Sequence, residues 1–166
     1  MKSRHLVFLG PPASGKGTQG RRLADENGLA YLSTGALLRR ALRDVTDLGK
    51  LARPFLERGE YVPEDIMIPM VLAWIGEQKN GWLLDGFPRT VPQAAALDQS
   101  LESKPLAIVL HVPDDELRRR VKCRLECENC HRVAREGEGV ECPKCHGKLA
   151  PRADDASANF ENRLAE

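Results

Sequence analysis

The run Gly10-Pro11-Pro12-Ala13-Ser14-Gly15-Lys16-Gly17-Thr18 follows an apolar stretch at 6–9 and leads into a segment at 18–27 that reads as helix. Buried strand, glycine-rich turn and helix N-terminus in that order commit the chain to a strand-turn-helix unit, and such units assemble into parallel sheets. Gly10 and Gly15 allow backbone angles and a close approach that a side chain would block. The amide N–H groups around Ala13, Ser14, Gly15 and Gly17 can then point inward, backed by the positive end of the helix, to form an anion site. Lys16 adds a mobile, solvent-facing point charge, and Thr18 a hydroxyl within reach of a Mg²⁺ ion. Gly17 separates the lysine from that hydroxyl, where the usual motif places Ser or Thr directly after the lysine.

A second constraint lies near the other end. Cys127 and Cys130, then Cys142 and Cys145, form two Cys-x-x-Cys knuckles with eleven residues between them, the spacing from which tetrahedral thiolate zinc sites are built. His131 and His146 each follow a knuckle and could substitute for a cysteine, and Cys123 reads as a plain half-buried thiol. Two disulfides in a secreted module fit poorly: the chain starts Met1-Lys2-Ser3-Arg4, runs straight into a core strand, and leaves an odd thiol. A closed set of four thiolates implies a structural metal that braces a loop and takes no part in chemistry.

With 25 basic and 24 acidic residues, no broad basic field asks for nucleic acid, and no apolar run approaches membrane-spanning length. These features fit a soluble, cytoplasmic enzyme without nucleic-acid or membrane partners. Positive charge is locally dense at Arg118, Arg119, Arg120, Lys122 and Arg124. Arg120 and Arg124, four apart, fall on one face of an expected helix, whereas Arg118 and Arg119 read as solvated surface.

Strands are expected at 6–9, 29–32, 82–85 and 106–112, as continuous apolar runs suited to a parallel sheet covered on both faces. Helices are expected from Ser33 or Thr34 to Arg43, over 50–58 after a polar turn at 44–49, and from 63 to 78. Two more are expected over 92–102 and 113–124. The fold class is therefore α/β: a P-loop three-layer α/β/α arrangement with a parallel sheet.

Taken together, Gly10 to Thr18, the Ser33-Thr34-Gly35 turn with Arg39, the Asp85-Gly86-Phe87-Pro88-Arg89-Thr90 run with Gln93, the cysteine array, and Arg152-Ala153-Asp154-Asp155 with Arg163 resemble the adenylate kinase family of the bacterial zinc-lid kind. The resemblance implies reversible transfer of a phosphoryl group from Mg²⁺·ATP to AMP, giving two ADP. It also implies a core built from 1–31, 65–124 and 152–166, a helical AMP-binding flap at 32–64 and a zinc lid at 125–151. Thr34, Arg39, Tyr61, Val62, Gly86, Arg89, Gln93, Arg152 and Arg163 would serve AMP. Gly10, Ala13–Thr18, Arg120 and Arg124 would serve ATP. Lys16, Asp85, Arg89, Arg120, Arg124, Arg152 and Arg163 would surround the transferred group, Asp85 ordering the water shell of Mg²⁺. Gln93, with a donor beside an acceptor, suits an adenine edge; Asp154 and Asp155 are expected to anchor a hinge or pair with arginines.

Two departures from the family pattern stand out. Ala36 occupies a position where relatives often carry an acid, close to the AMP arginines. The family also continues past residue 166 with a helix, a fifth strand and a closing helix, some of whose backbone packs on the ATP adenine. A shortened form without them is expected to be a monomer whose fourth strand is an open edge, prone to association, with reduced activity. The alternatives are a UMP or CMP kinase of the same fold, a noncatalytic nucleotide-binding protein, or a nucleic-acid-binding zinc ribbon. The last would need aromatic residues that are missing between Cys127 and Cys145.

Overall fold

The computed structural model describes residues 5–58, 60–134, 137–152, 155 and 157–165. Its elements are β1 (His5–Leu9), α1 (Lys16–Asn27), β2 (Ala30–Ser33), α2 (Thr34–Arg43), α3 (Asp47–Arg58), α4 (Glu64–Gly76), β3 (Trp82–Asp85), α5 (Val91–Gln99), β4 (Leu106–Val109), α6 (Asp114–Lys122), β5 (Leu125–Cys127), β6 (Leu149–Pro151) and α7 (Ser157–Ala165).

Four strands form a parallel sheet in the order β2-β3-β1-β4. Successive side chains along its central strands alternate between two buried faces. Phe8 and Leu83 pack with Ala24 of α1, while Val7, Leu84 and Trp82 pack with Met67 and Val71 of α4 and Leu97 of α5. Burial on both faces explains the apolar strands and yields the three-layer α/β/α architecture. Register then does the work of assembly. Phe8 and Ser33 both lie opposite Asp85, so the glycine loop after β1, the start of α2 after β2 and the turn after β3 emerge side by side at the carboxyl edge. Ligands of open α/β sheets collect at that edge.

Several boundaries differ from the sequence expectation. Residues 44–49 are not all turn, because α3 begins at Asp47. Gly49 suggests a helix breaker, yet it lies inside α3 where that helix crosses α2, and a Cβ there would sit 2.1 Å from the Ala41 carbonyl oxygen. Its small size permits the crossing. Strand β4 ends at Val109, although Leu110 still donates to the Leu9 carbonyl at 2.9 Å. It is an open sheet edge among the described residues, and its Leu106 and Val109, on opposite faces, are each more than half exposed. Helix α6 stops at Lys122, so Arg124 lies beyond its C-cap rather than on one helical face with Arg120.

After α6 the chain forms a small antiparallel ribbon, β5 with β6, extended by bridges Glu126–Val133 and Glu141–Lys148. The ribbon has its own small core of Cys127, Cys142 and Leu149. Among the described residues no helix is long and apolar enough to cross a membrane.

Candidate active site

Apolar β1 delivers Gly10 to the carboxyl edge, and the loop returns through Ala13, in left-handed backbone at φ 62°, to Gly15 at the N-cap of α1. Lys16 opens the helix. Its ammonium does not project into solvent as expected, but folds back to donate to the Gly10 and Pro11 carbonyls at 2.6 and 2.7 Å. Those carbonyls substitute for water around a half-buried cation. Burial pushes the Lys16 pKa down to about 8, against the pull of the Asp85 carboxylate. Ser14 is buried; Thr18 is exposed on the first turn of α1.

Asp85, at the end of β3, is 7 % exposed and accepts a 2.9 Å hydrogen bond at Oδ2 from the Tyr31 hydroxyl. Arg21 lies 4.7 Å over the Tyr31 ring. Burial and the neighbouring carboxylate both push the Tyr31 pKa upward, so the phenol remains a donor. Sequence reasoning missed Tyr31, since only the pairing of β2 with β3 brings residues 31 and 85 together. The Gly17 Cα lies against the same carboxylate, where an added Cβ would sit 3.3 Å from Asp85 Oδ2. A side chain there would crowd Asp85, which gives the extra glycine of the loop a physical reason.

The turn after β3 orients Arg89. Gly86 has φ 86°, and a Cβ there would come within 2.8 Å of Thr34 Oγ1 and 2.9 Å of Arg89 Nη2, so only glycine fits without displacement. Arg89 Nε donates to the Gly86 carbonyl at 2.7 Å, and its guanidinium lies 5.0 Å over the Tyr61 ring. Thr34 Oγ1 also donates to Gly86 O, at 2.9 Å, fastening the start of α2 to this turn. Gln93 is buried and its Oε1 accepts the Arg89 backbone N–H at 2.9 Å, so the acceptor half of the expected adenine contact is engaged in holding Arg89. Val62 joins the core under α4.

The remaining arginines arrive from α6, the ribbon and α7. Arg120 reaches the Ser14 carbonyl at 3.5 Å while its Nε donates to Glu116. Arg124 forks onto Asp155, with Nε to Oδ2 at 2.7 Å, and Arg163 approaches the same carboxylate at 3.7 Å. The Arg124–Asp155 pair is nearly buried; removing one partner of such a pair costs about 3–5 kcal/mol. Asp154 lies outside the described residues. Arg152 pairs with Glu126, which also lies 3.7 Å from Arg39 of α2. Arg118, expected as solvated surface, is exposed and forks onto Glu161 of α7 at 2.9 and 3.0 Å. A cleft of about 340 Å³ opens along the glycine loop, lined by Gly10, Pro11, Lys16, Tyr61, Arg89 and Arg163 among others.

The Sγ atoms of Cys127, Cys130, Cys142 and Cys145 all lie within 4.8 Å of one another, a cluster able to hold a metal ion. All five cysteines are free, and Cys123, expected half-buried, is exposed. His131 and His146 do not join the thiolates; each turns its Nδ1 to a glutamate, Glu126 and Glu141 respectively. Burial and Arg43 together lower the His131 pKa, favouring the neutral ring.

Fold and site together define a P-loop nucleotide phosphotransferase: a glycine-rich loop at a helix N-terminus, a carboxylate beside it, and arginines from separate segments. Residues 8–166 match the family model described as adenylate kinase. Similar relatives include adenylate kinases of Methanosarcina barkeri (40 % identical over 171 residues), Thermodesulfovibrio yellowstonii (42 % over 170 residues) and Chlamydia pneumoniae (38 % over 171 residues). The matches cover 96–99 % of this chain and 79–80 % of those relatives. The chain belongs to the adenylate kinase family.

Proposed function

We propose that the chain transfers the terminal phosphoryl group of Mg²⁺·ATP reversibly to AMP, giving two ADP. The observation that carries this reading is the meeting at one carboxyl edge of Lys16, Asp85 and Arg89 with Arg120, Arg124 and Arg163 from beyond the sheet. Phosphoryl transfer asks little covalent chemistry of a protein, and positioning with compensating charge accounts for most of the acceleration. In this reading residues 32–64 form the acceptor flap, residues 125–151 the lid, and the rest the core.

Arg89, held by Gly86 and Gln93, presents its planar fork to the AMP phosphate together with Arg39. Lys16 exchanges its loop carbonyls for phosphate oxygens and follows the moving group. Arg120, Arg124, Arg152 and Arg163 offset charge on the transferred group, and their closing over the cleft excludes water that would otherwise hydrolyse ATP. Mg²⁺, when bound with the nucleotide, would supply charge that offsets the phosphates. Asp85, steadied by Tyr31, and Thr18 on the adjoining turn would hold that ion.

Zinc suits the thiolate cluster. Tetrahedral bonds of about 2.3 Å put sulfur atoms about 3.8 Å apart, and the Cys127–Cys145 and Cys130–Cys142 separations are 3.4 and 3.7 Å. Four thiolate ligands leave no open position, so zinc would brace the ribbon that carries Arg152. A reduced cluster of this kind belongs in the cytoplasm.

Arg89→Lys tests the acceptor assignment. A point charge cannot reproduce the fork, so the KM for AMP is expected to rise roughly tenfold or more while that for ATP changes by less than about twofold. Steady-state kinetics with each nucleotide varied in turn measures both; an unchanged AMP requirement would remove Arg89 from the acceptor site.

A further inference from the structure

The two knuckles repeat one pattern, Glu-Cys-x-x-Cys-His, at 126–131 and 141–146. In both, the histidine has left-handed backbone at φ 58° and its Nδ1 faces the glutamate Oε1, at 3.2 Å for His131–Glu126 and 2.8 Å for His146–Glu141. That hydrogen bond is thus a property of the knuckle. The surroundings of the two differ. His146 and Glu141 are 82 % and 63 % exposed, whereas His131 and Glu126 are 22 % and 8 % exposed.

The buried copy faces α2. Glu126 Oε2 pairs with Arg152 at the exit of β6 and lies 3.7 Å from Arg39 Nη2. Arg43 Nη2 stands 2.9 Å from His131 Nε2. A guanidinium can only donate, so Nε2 accepts and Nδ1–H is left to donate to Glu126. One carboxylate is thereby connected, directly or through one imidazole, to two arginines a turn apart on α2 and to one on the ribbon. Helix α2 has no acid in its own first turn, where position 36 is alanine, and the ribbon supplies the carboxylate that meets Arg39.

We propose that Glu126 is a positioning residue that docks the ribbon on α2, through Arg39, Arg152 and the His131–Arg43 relay, so that occupancy of the donor site strengthens binding at the acceptor site. This rests on the reading that α2 serves AMP and the ribbon serves ATP. Donor phosphates that gather the ribbon arginines hold Glu126 against Arg39 and keep that arginine in place before the acceptor binds. Coupling of this kind is a free energy shared by both sites, so it acts equally in the other direction.

The test is AMP affinity by calorimetry, with and without a nonhydrolysable ATP analogue, on the full chain carrying its metal. The parent is expected to bind AMP about fivefold or more tightly with the analogue present, within the usual range for coupled sites. Glu126→Gln and Arg43→Gln should bring that ratio close to one. Arg43 is exposed and outside the phosphate-binding set, so Arg43→Gln should keep the parental kcat at saturating nucleotide and the parental metal content; it decides the matter should Glu126→Gln fold poorly. Glu141→Gln, altering the exposed twin, should keep the parental ratio. A parental ratio of one, variants that retain coupling, or equal loss in Glu141→Gln would each overturn the proposal. If ATP and AMP do not react in the parent, the functional reading itself fails; if they react while Arg43→Gln keeps full coupling, this inference alone fails.

Discussion

Lys16→Ala is expected to lower the rate of transfer by roughly 10²–10³-fold, the usual cost of removing one preorganised charge from a developing transition state. The variant should keep its fold. In the structure the ammonium caps the Gly10 and Pro11 carbonyls at the rim of the cleft, where water can replace it. Burial holds its pKa near 8, so the group is still mostly protonated at neutral pH and can exchange those carbonyls for phosphate. The check is kcat in a coupled assay beside thermal unfolding. Parental turnover with parental Tm would reduce the loop to a structural turn.

Removing a zinc ion held by the four cysteines should have an effect of similar size by a different route. The ribbon core consists of Cys127, Cys142 and Leu149 with few apolar neighbours, too little to order three-residue strands without a bound ion. Binding free energy at such a site is folding free energy, on the order of 10 kcal/mol or more for structural zinc. Chelation, or Cys127→Ser, is therefore expected to unfold β5 and β6 first and release Arg152 and Glu126 from Arg39 of α2, while the parallel sheet persists. Hydrogen exchange would register loss of protection confined to the ribbon, together with loss of transfer activity. Elemental analysis finding no zinc in freshly purified, reduced protein, or full transfer activity from a metal-free chain, would contradict this.

Much of this architecture is legible in the sequence because it is written locally. The glycine loop, the apolar strands at 6–9 and 82–85 and the cysteine knuckles each lie within a few residues, and local spacing is what determines them. Gly49 shows one limit: a glycine that permits a helix crossing looks the same in sequence as one that ends a helix. Contacts between distant residues show another. Tyr31 meets Asp85 across 54 positions and Arg43 meets His131 across 88, and neither Tyr31 nor Arg43 belongs to a recognisable motif. Lys16 shows a third, because its inward turn toward Gly10 and Pro11 depends on loop conformation, which residue types alone do not specify.

Phosphoryl transfer from ATP to AMP is expected to proceed without loss to water. Its most direct test is phosphorus NMR of the purified chain with Mg²⁺·ATP and, separately, AMP, UMP, CMP or GMP. AMP should react fastest, with two ADP formed for each AMP consumed and almost no inorganic phosphate. Preference for UMP or CMP, or release of inorganic phosphate in place of the second ADP, would contradict it.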